Sequence, residues 1–176
     1  MIISVDEAKS LANVAGWTDS KIMMRLKAIE QTIRAYTNNN FQARGFRARA
    51  DIVDGVFCGF HPGLFRVGDT VQVSCSEFND GLFTVFRADG AGITVVDPVV
   101  DESGVVMTKV VYPADVVACA INLLEWEVNN RDKVGIQSET LSRHSVTYYN
   151  MDGTNNVMGY PAALLGALKP YRKARC

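Results

Sequence analysis

The sequence predicts an α+β protein: a bundle of about four helices, a small five-stranded, barrel-like β domain inserted between the second and third, and an extended arm before the last. Three observations predict it. Apolar residues recur with a helical period at both ends of the chain, the period switches to two at about Arg47, and helical signals restart at Pro113. The expected domains are therefore a helical one from residues 1–46 and 113–176 and an inserted β domain, SH3- or OB-like, from 47–112.

Ser4-Val5-Asp6-Glu7 has the pattern of a capping box and opens a short helix expected to run to about Val14, with Gly16 ending it. Thr18-Asp19-Ser20 opens a second helix, its acid placed near the positive helix end. Ile22, Leu26, Ile29, Ile33 and Tyr36 form its apolar stripe, and Thr37 to Asn40 stop it. Candidate strands follow at Ala50–Phe57, Thr70–Ser74, Leu82–Phe86, Gly92–Val96 and Val105–Val111, punctuated by turn-forming Gly, Pro, Asn and Asp.

Pro113 suits the first turn of a third helix. Val117, Ile121, Leu124 and Val128 form one stripe on it, while Cys119, Leu123 and Trp126 lie off that stripe. A helix apolar on more than one side is central to a bundle or sits at a subunit contact, so Trp126 is a candidate for an oligomer interface. Pro161 starts a last short helix carrying Leu164, Leu165 and Leu168, and Pro170 ends it.

The chain of 176 residues has a formal net charge of −1, which argues against global binding of polyanions. The charge is uneven. Residues 47–112 carry five basic and nine acidic side chains, whereas the last eight residues hold Lys169, Arg172, Lys173 and Arg175 without an acid. Four isolated cysteines, of which Cys119 falls in a helix pattern and reads as a buried thiol, no leader pattern and no apolar run long enough to span a bilayer lead to the expectation of a soluble, intracellular protein.

Catalytic signatures are not found. His61 and His144 have no spaced partner, there is no HExxH, GxSxG or phosphate-cradling glycine loop, and Glu125 and Glu127 point to different helix faces. No enzyme, metal or cofactor is expected. The basic residues of the second helix are read as a solvated face, and the acidic β domain does not invite nucleic acid.

The segment between the third and last helices is too polar for a core and too rich in Val and Tyr for a linker. Residues 136–149 alternate, so they are read as an arm that pairs with or lies along another chain through Val146, Tyr148 and Tyr149.

As a set, the segments have a recognisable order. Val5-Asp6-Glu7-Ala8-Lys9 is followed by Tyr36-Thr37-Asn38-Asn39 with Phe41, then by Leu124-Glu125-Trp126-Glu127 running into Asn130-Arg131. Val134-Gly135-Ile136-Gln137-Ser138-Glu139-Thr140 leads to Ser145-Val146-Thr147-Tyr148, and Leu164-Leu165-Gly166-Ala167-Leu168-Lys169-Pro170-Tyr171-Arg172 closes the series. This resembles the head-to-tail connector (adaptor, or head-completion) proteins of long-tailed bacteriophages and related prophages. The resemblance covers about residues 4–44 and 113–173, and the β insert departs from the compact members of that family.

The resemblance implies a non-catalytic virion protein, made in the host cytoplasm, that assembles as a ring, usually of twelve copies, beneath the portal. The ring extends the DNA channel and receives the next connector or the tail. On that reading Gln137, Ser138, Ser142 and Ser145 face passing DNA, and Lys169, Tyr171, Arg172, Lys173 and Arg175 form a flexible tail that docks on the portal. The alternative is a small nucleic-acid-binding regulator with a helical domain and an SH3-like barrel.

Overall fold

The computed structural model describes residues 1–130, 138–141, 144–147 and 155–174. The fold is α+β, and the chain divides into two compact units: Met1 with residues 40–112, and residues 2–39 with 113–176.

In the helical unit, α1 spans Val5–Leu11. Ser4 Oγ accepts from Glu7 N at 3.2 Å while Glu7 Oε2 accepts from Ser4 N at 2.7 Å, which closes the capping box. The helix stops at Leu11, short of the expected Val14, because Ala12 is extended. Extension places Ala12 and Val14 on one side of the chain and buries both; helical continuation would set them on different faces.

Helix α2 spans Asp19–Thr37, with Thr18 Oγ1 accepting from Lys21 N at 3.4 Å. Ile22, Leu26, Ile29 and Ile33 are fully buried, as their spacing predicts. Asn38 closes it in the left-handed conformation (φ 48°, ψ 37°), which asparagine tolerates.

Helix α3 spans Ala114–Asn130, but its buried face is not the expected stripe. Val116, Cys119, Ala120, Leu123, Leu124 and Glu127 are buried, while Val117, Ile121 and Val128 are only half-buried. The expected stripe is thus one flank of the helix, and the centre of its buried face carries a carboxylate, Glu127.

The last helix is 3₁₀, Ala162–Tyr171, and runs through Pro170 rather than ending there. Leu165 and Leu168 are its buried residues, and a spacing of three stacks them on one side of a three-residue turn.

The β unit is a closed antiparallel barrel of six strands, not five. They are β1 (Gln42–Val53), β2 (Val56–Cys58), β3 (Thr70–Ser74), β4 (Gly81–Asp89), β5 (Gly92–Val95) and β6 (Glu102–Val110). The order is β1-β2-β5-β4-β3-β6, with β6 pairing back to β1, so no strand is left with an open edge. The extra strand arises because the candidate Ala50–Phe57 is a hairpin. Asp54 and Gly55 both take positive φ (50° and 74°), the pair a tight hairpin turn requires, and the Asp101 carboxylate accepts from both their amides at 3.0 and 3.1 Å.

Alternate residues fill the barrel: Ala50 and Ile52, Val71 and Val73, Val105 and Met107, with Phe57, Phe65, Val85 and Ile93 completing the core. The Met1 ammonium group donates to the hydroxyls of Thr70 and Thr84 at 2.8 and 3.1 Å.

Candidate functional site

The arm leaves α3 at Asn130, whose side chain donates to the Trp126 carbonyl at 3.2 Å. Its described residues form two antiparallel strands, β7 (Ser138–Leu141) and β8 (His144–Thr147), paired Ser138 to Thr147, Glu139 to Val146, Thr140 to Ser145 and Leu141 to His144. The described part of the arm is thus a hairpin rather than one extended strand. The two halves satisfy each other along their inner edges, and among the described residues no further strand pairs with their outer edges. Gln137, Ser142, Tyr148 and Tyr149 lie outside the described residues.

The chain is caught again beyond the arm. Two short strands, β9 (Asn156–Val157) and β10 (Tyr160–Pro161), pair with each other and deliver Tyr160 to α3. Tyr160 is buried, and its hydroxyl donates to Glu127 Oε1 at 2.5 Å. Its ring meets the Trp126 ring edge-on, centroids 5.5 Å apart. Arg25 Nε from α2 lies 3.3 Å from Glu127 Oε2, which balances the buried charge. Trp126, expected at an oligomer interface, is half-buried against its own chain's Tyr160.

Next along α3 the Cys119 thiol donates to the Leu164 carbonyl at 3.2 Å, and burial pushes its pKa up to about 11. A thiol so held is a packing group.

The C-terminal segment is held as well, contrary to the expectation of a flexible tail. Lys173 N donates to the Thr37 carbonyl at 2.8 Å, Asn38 Nδ2 to the Ala174 carbonyl at 2.9 Å, and Asn39 Nδ2 to the Tyr171 carbonyl at 3.2 Å. The Tyr171 hydroxyl donates to both oxygens of Asp115 at 2.8 Å, and that bond holds the phenol pKa above its ordinary value. Arg172 lies over the Tyr36 ring, 5.3 Å from its centroid. The backbone is therefore fixed while Lys169, Arg172 and Lys173 stay exposed. Arg175 lies outside the described residues.

His61 is a turn residue: its Nδ1 accepts from Gly63 N at 3.2 Å and caps the 3₁₀ turn Pro62–Leu64. His144 is placed on β8 by its backbone. Among the described residues no group of His, Cys, Asp and Glu is placed to hold a metal ion, and no helix is long and apolar enough to cross a membrane.

The residues that root the arm, Glu127 and Tyr160, were not among the sequence candidates. Glu127 had a signal, since it continues Val116, Ala120 and Leu123 at helical spacing. Tyr160 had none beyond its place before Pro161. Comparison of the chain with models of known protein families finds no match, and comparison with curated proteins finds none.

Proposed function

We propose that this chain is a structural, non-catalytic connector of the head-to-tail junction of a long-tailed bacteriophage, forming a ring under the portal that extends the DNA channel and receives the tail. The observation that carries this reading is the rooted arm. A buried Tyr160–Glu127 bond and the Trp126 edge contact secure the chain where it returns from a hairpin, so the hairpin can project from a firm base.

On this reading the arm that carries Ser138 and Ser145 lines the channel. Uncharged hydroxyls hydrate passing DNA without the counterion-releasing phosphate contacts that would hold it. The exposed cations of the strapped C-terminal segment, Lys169, Arg172 and Lys173, then meet the portal as a preformed surface. Its fixed backbone lowers the ordering cost of that contact.

The test is to express the chain with the portal protein of its own particle, pull down through the portal and image the product by electron microscopy. A ring seated on the portal is expected. Failure to attach at physiological salt, together with salt-sensitive shifts of short duplexes, would overturn the reading in favour of a nucleic-acid-binding regulator.

A further inference from the structure

We infer that the β barrels of two copies of this chain dock on each other, the turn end of one barrel lying on the basic bulge of β1 on the other. The inference gives the insert a task and does not depend on the portal reading above.

Antiparallel pairing around the barrel brings the β1–β2, β3–β4 and β5–β6 connections to one end, opposite the end where the chain enters β1 and leaves β6. These connections hold Asp54, Glu77, Asp80 and Asp101 and no basic residue. At the same end Phe78, Val100 and Val53 are 68, 54 and 52% exposed. Buried Asn79, next to Phe78, donates to the Val100 carbonyl at 2.9 Å and accepts from Val100 N at 2.8 Å. Asp101 accepts from the Asp54 and Gly55 amides beside Val53. Exposed apolar side chains on a backbone fixed in this way form a contact surface that needs little further ordering.

The start of β1 has the opposite sign. Gln42 pairs with Val110 and Arg47 with Thr108, so residues 43–46 stand opposite Lys109 alone and form a wide bulge. Arg44 and Phe46 are exposed on it, the phenyl ring residue to 48%, and exposed Arg47 and Arg49 follow on the strand. Arg47 Nε donates to the neutral Thr108 hydroxyl at 3.0 Å. Among the described residues no carboxylate pairs with Arg44 or Arg49, whereas Asp69 pairs with Lys109 at 2.7 Å and Asp89 with Arg87 at 2.6 Å. The acids of this end are thus matched by other cations, and the charge of the bulge is left over.

Each patch offers an exposed phenyl ring among charges of one sign, and the two signs are opposite. Eight residues separate Phe46 from Asp54, roughly 25 Å of extended strand, too far for the patches to meet within one barrel. A second copy supplies the complement of both. A copy that uses both patches on one partner closes a two-fold pair, and one that uses them on two partners builds a chain or a ring; the contact is the same in each.

Cross-linking of the full chain tests this. The background replaces Cys58 and Cys176 by Ser, keeps exposed Cys75 at the turn end, and keeps Cys119, whose buried thiol does not react. Treated with a short bismaleimide, the Gly45→Cys variant should give a dimer, for two-fold closure, or a ladder, for a chain or ring. The background alone, and Gly45→Cys combined with Cys75→Ser, should each stay monomeric, and an equimolar mixture of those two should give dimers. Ala43→Cys repeats the test should Gly45→Cys fail to fold by circular dichroism.

In parallel, Arg44→Glu/Arg49→Glu should lower the cross-linked yield roughly tenfold, as two exposed pairs turn from attraction to repulsion, and Phe78→Ala should lower it at least about fivefold through lost apolar contact. Cross-linking in either single-thiol control, or none from Gly45→Cys and Ala43→Cys at any concentration with or without portal, overturns the inference. So does a chain that does not cross-link but binds a labelled single-stranded oligothymidine through Arg44 and Arg49, which would assign the bulge to nucleic acid. A chain that attaches to the portal without the cross-link refutes this contact and leaves the connector reading standing. The cross-link without attachment does the reverse.

Discussion

Replacing Tyr160 by Phe removes one oxygen and nothing else, which makes it the sharpest probe of the arm's root. The hydroxyl donates to a Glu127 oxygen at 2.5 Å inside the helical unit, and both residues are buried. A hydrogen bond to a charged group contributes about 1.5–3 kcal/mol, and here its loss also removes part of the solvation of a buried carboxylate. The ring stays, so the edge contact with Trp126 and the apolar burial are conserved. A loss of about 2 kcal/mol lowers Tm by roughly 4–8 °C for a chain of this size. Urea unfolding followed by tryptophan fluorescence suits the measurement, because Trp17 and Trp126 both belong to the helical unit. A double-mutant cycle isolates the bond: in a Glu127→Gln background, Tyr160→Phe should cost at least 1 kcal/mol less. An unchanged midpoint for Tyr160→Phe, or full additivity in the cycle, would show that the return of the chain is not secured by this bond.

A Cβ at Gly92 would lie 2.1 Å from the Phe57 carbonyl oxygen, at φ +147°, so Gly92→Ala should destabilise the barrel by about 2–6 kcal/mol from strain and overpacking combined. Gly45→Ala, where a Cβ meets nothing within 4 Å, should stay within about 0.5 kcal/mol, and equal urea midpoints for the two variants would refute the geometry. Glu102 is held below the ordinary carboxylate range, chiefly by the Ser76 hydroxyl and then by the Glu77 amide. Its stabilisation is complete above the ordinary value of 4.5 and is lost as pH falls through the lowered value. Glu102→Gln should therefore flatten the acid dependence of amide exchange in residues 76–80, and an unaltered dependence would place the effect elsewhere. Asn38→Ala/Asn39→Ala removes two straps on the C-terminal segment, and tryptic cleavage at Arg172 and Lys173 should accelerate by about tenfold, as expected for two bonds of about 1 kcal/mol each that are partly replaced by water. Cleavage at the parental rate would mean the straps contribute nothing in solution.

What could be read from the sequence was what local rules control. Ser4 and Glu7, Thr18, and the isoleucine and leucine stripe of α2 act within one or two helical turns, and the structure matches them. The face of α3 escaped because the helix is apolar on most sides and its buried centre holds Glu127, which hydropathy assigns to solvent. Tyr160 and Arg25, both far away in sequence, help make that burial tolerable. The strapped tail escaped for the same reason: Asn38 and Asn39 reach carbonyls 136 and 132 residues away, and four cations without an acid look like a solvated end. The Asp54-Gly55 hairpin, by contrast, is legible in its dipeptide, and it divides the expected strand Ala50–Phe57 in two. In the arm the alternation was visible, but the sequence there lacks the Asn-Gly or Asp-Gly pair that announces a hairpin.

The barrel leaves and rejoins the helical sequence through a closed neck, and this fixes where it can be cut. Val111 N donates to the Phe41 carbonyl at 2.9 Å, Gln42 pairs with Val110, and the Phe41 and Tyr112 rings lie 5.0 Å apart. Two ends that emerge side by side add an insert for little more than the entropy of closing one loop. The boundary near Arg47 expected from the change of period falls inside β1, so a deletion starting at 48 would leave Gln42–Arg47 without its β6 partner and expose it as an edge. Replacing residues 40–112 by a short Gly/Ser linker removes the neck with the barrel. That protein should retain helical circular dichroism and melt cooperatively, because the buried stripe of α2, the buried face of α3 and the Tyr160 anchor all lie outside the deletion. The deletion from 48 to 111 should melt lower and associate non-specifically. Loss of helicity in the 40–112 replacement would show that the helical unit depends on the barrel for its fold; equal behaviour of the two deletions would show that the neck is not where the unit closes.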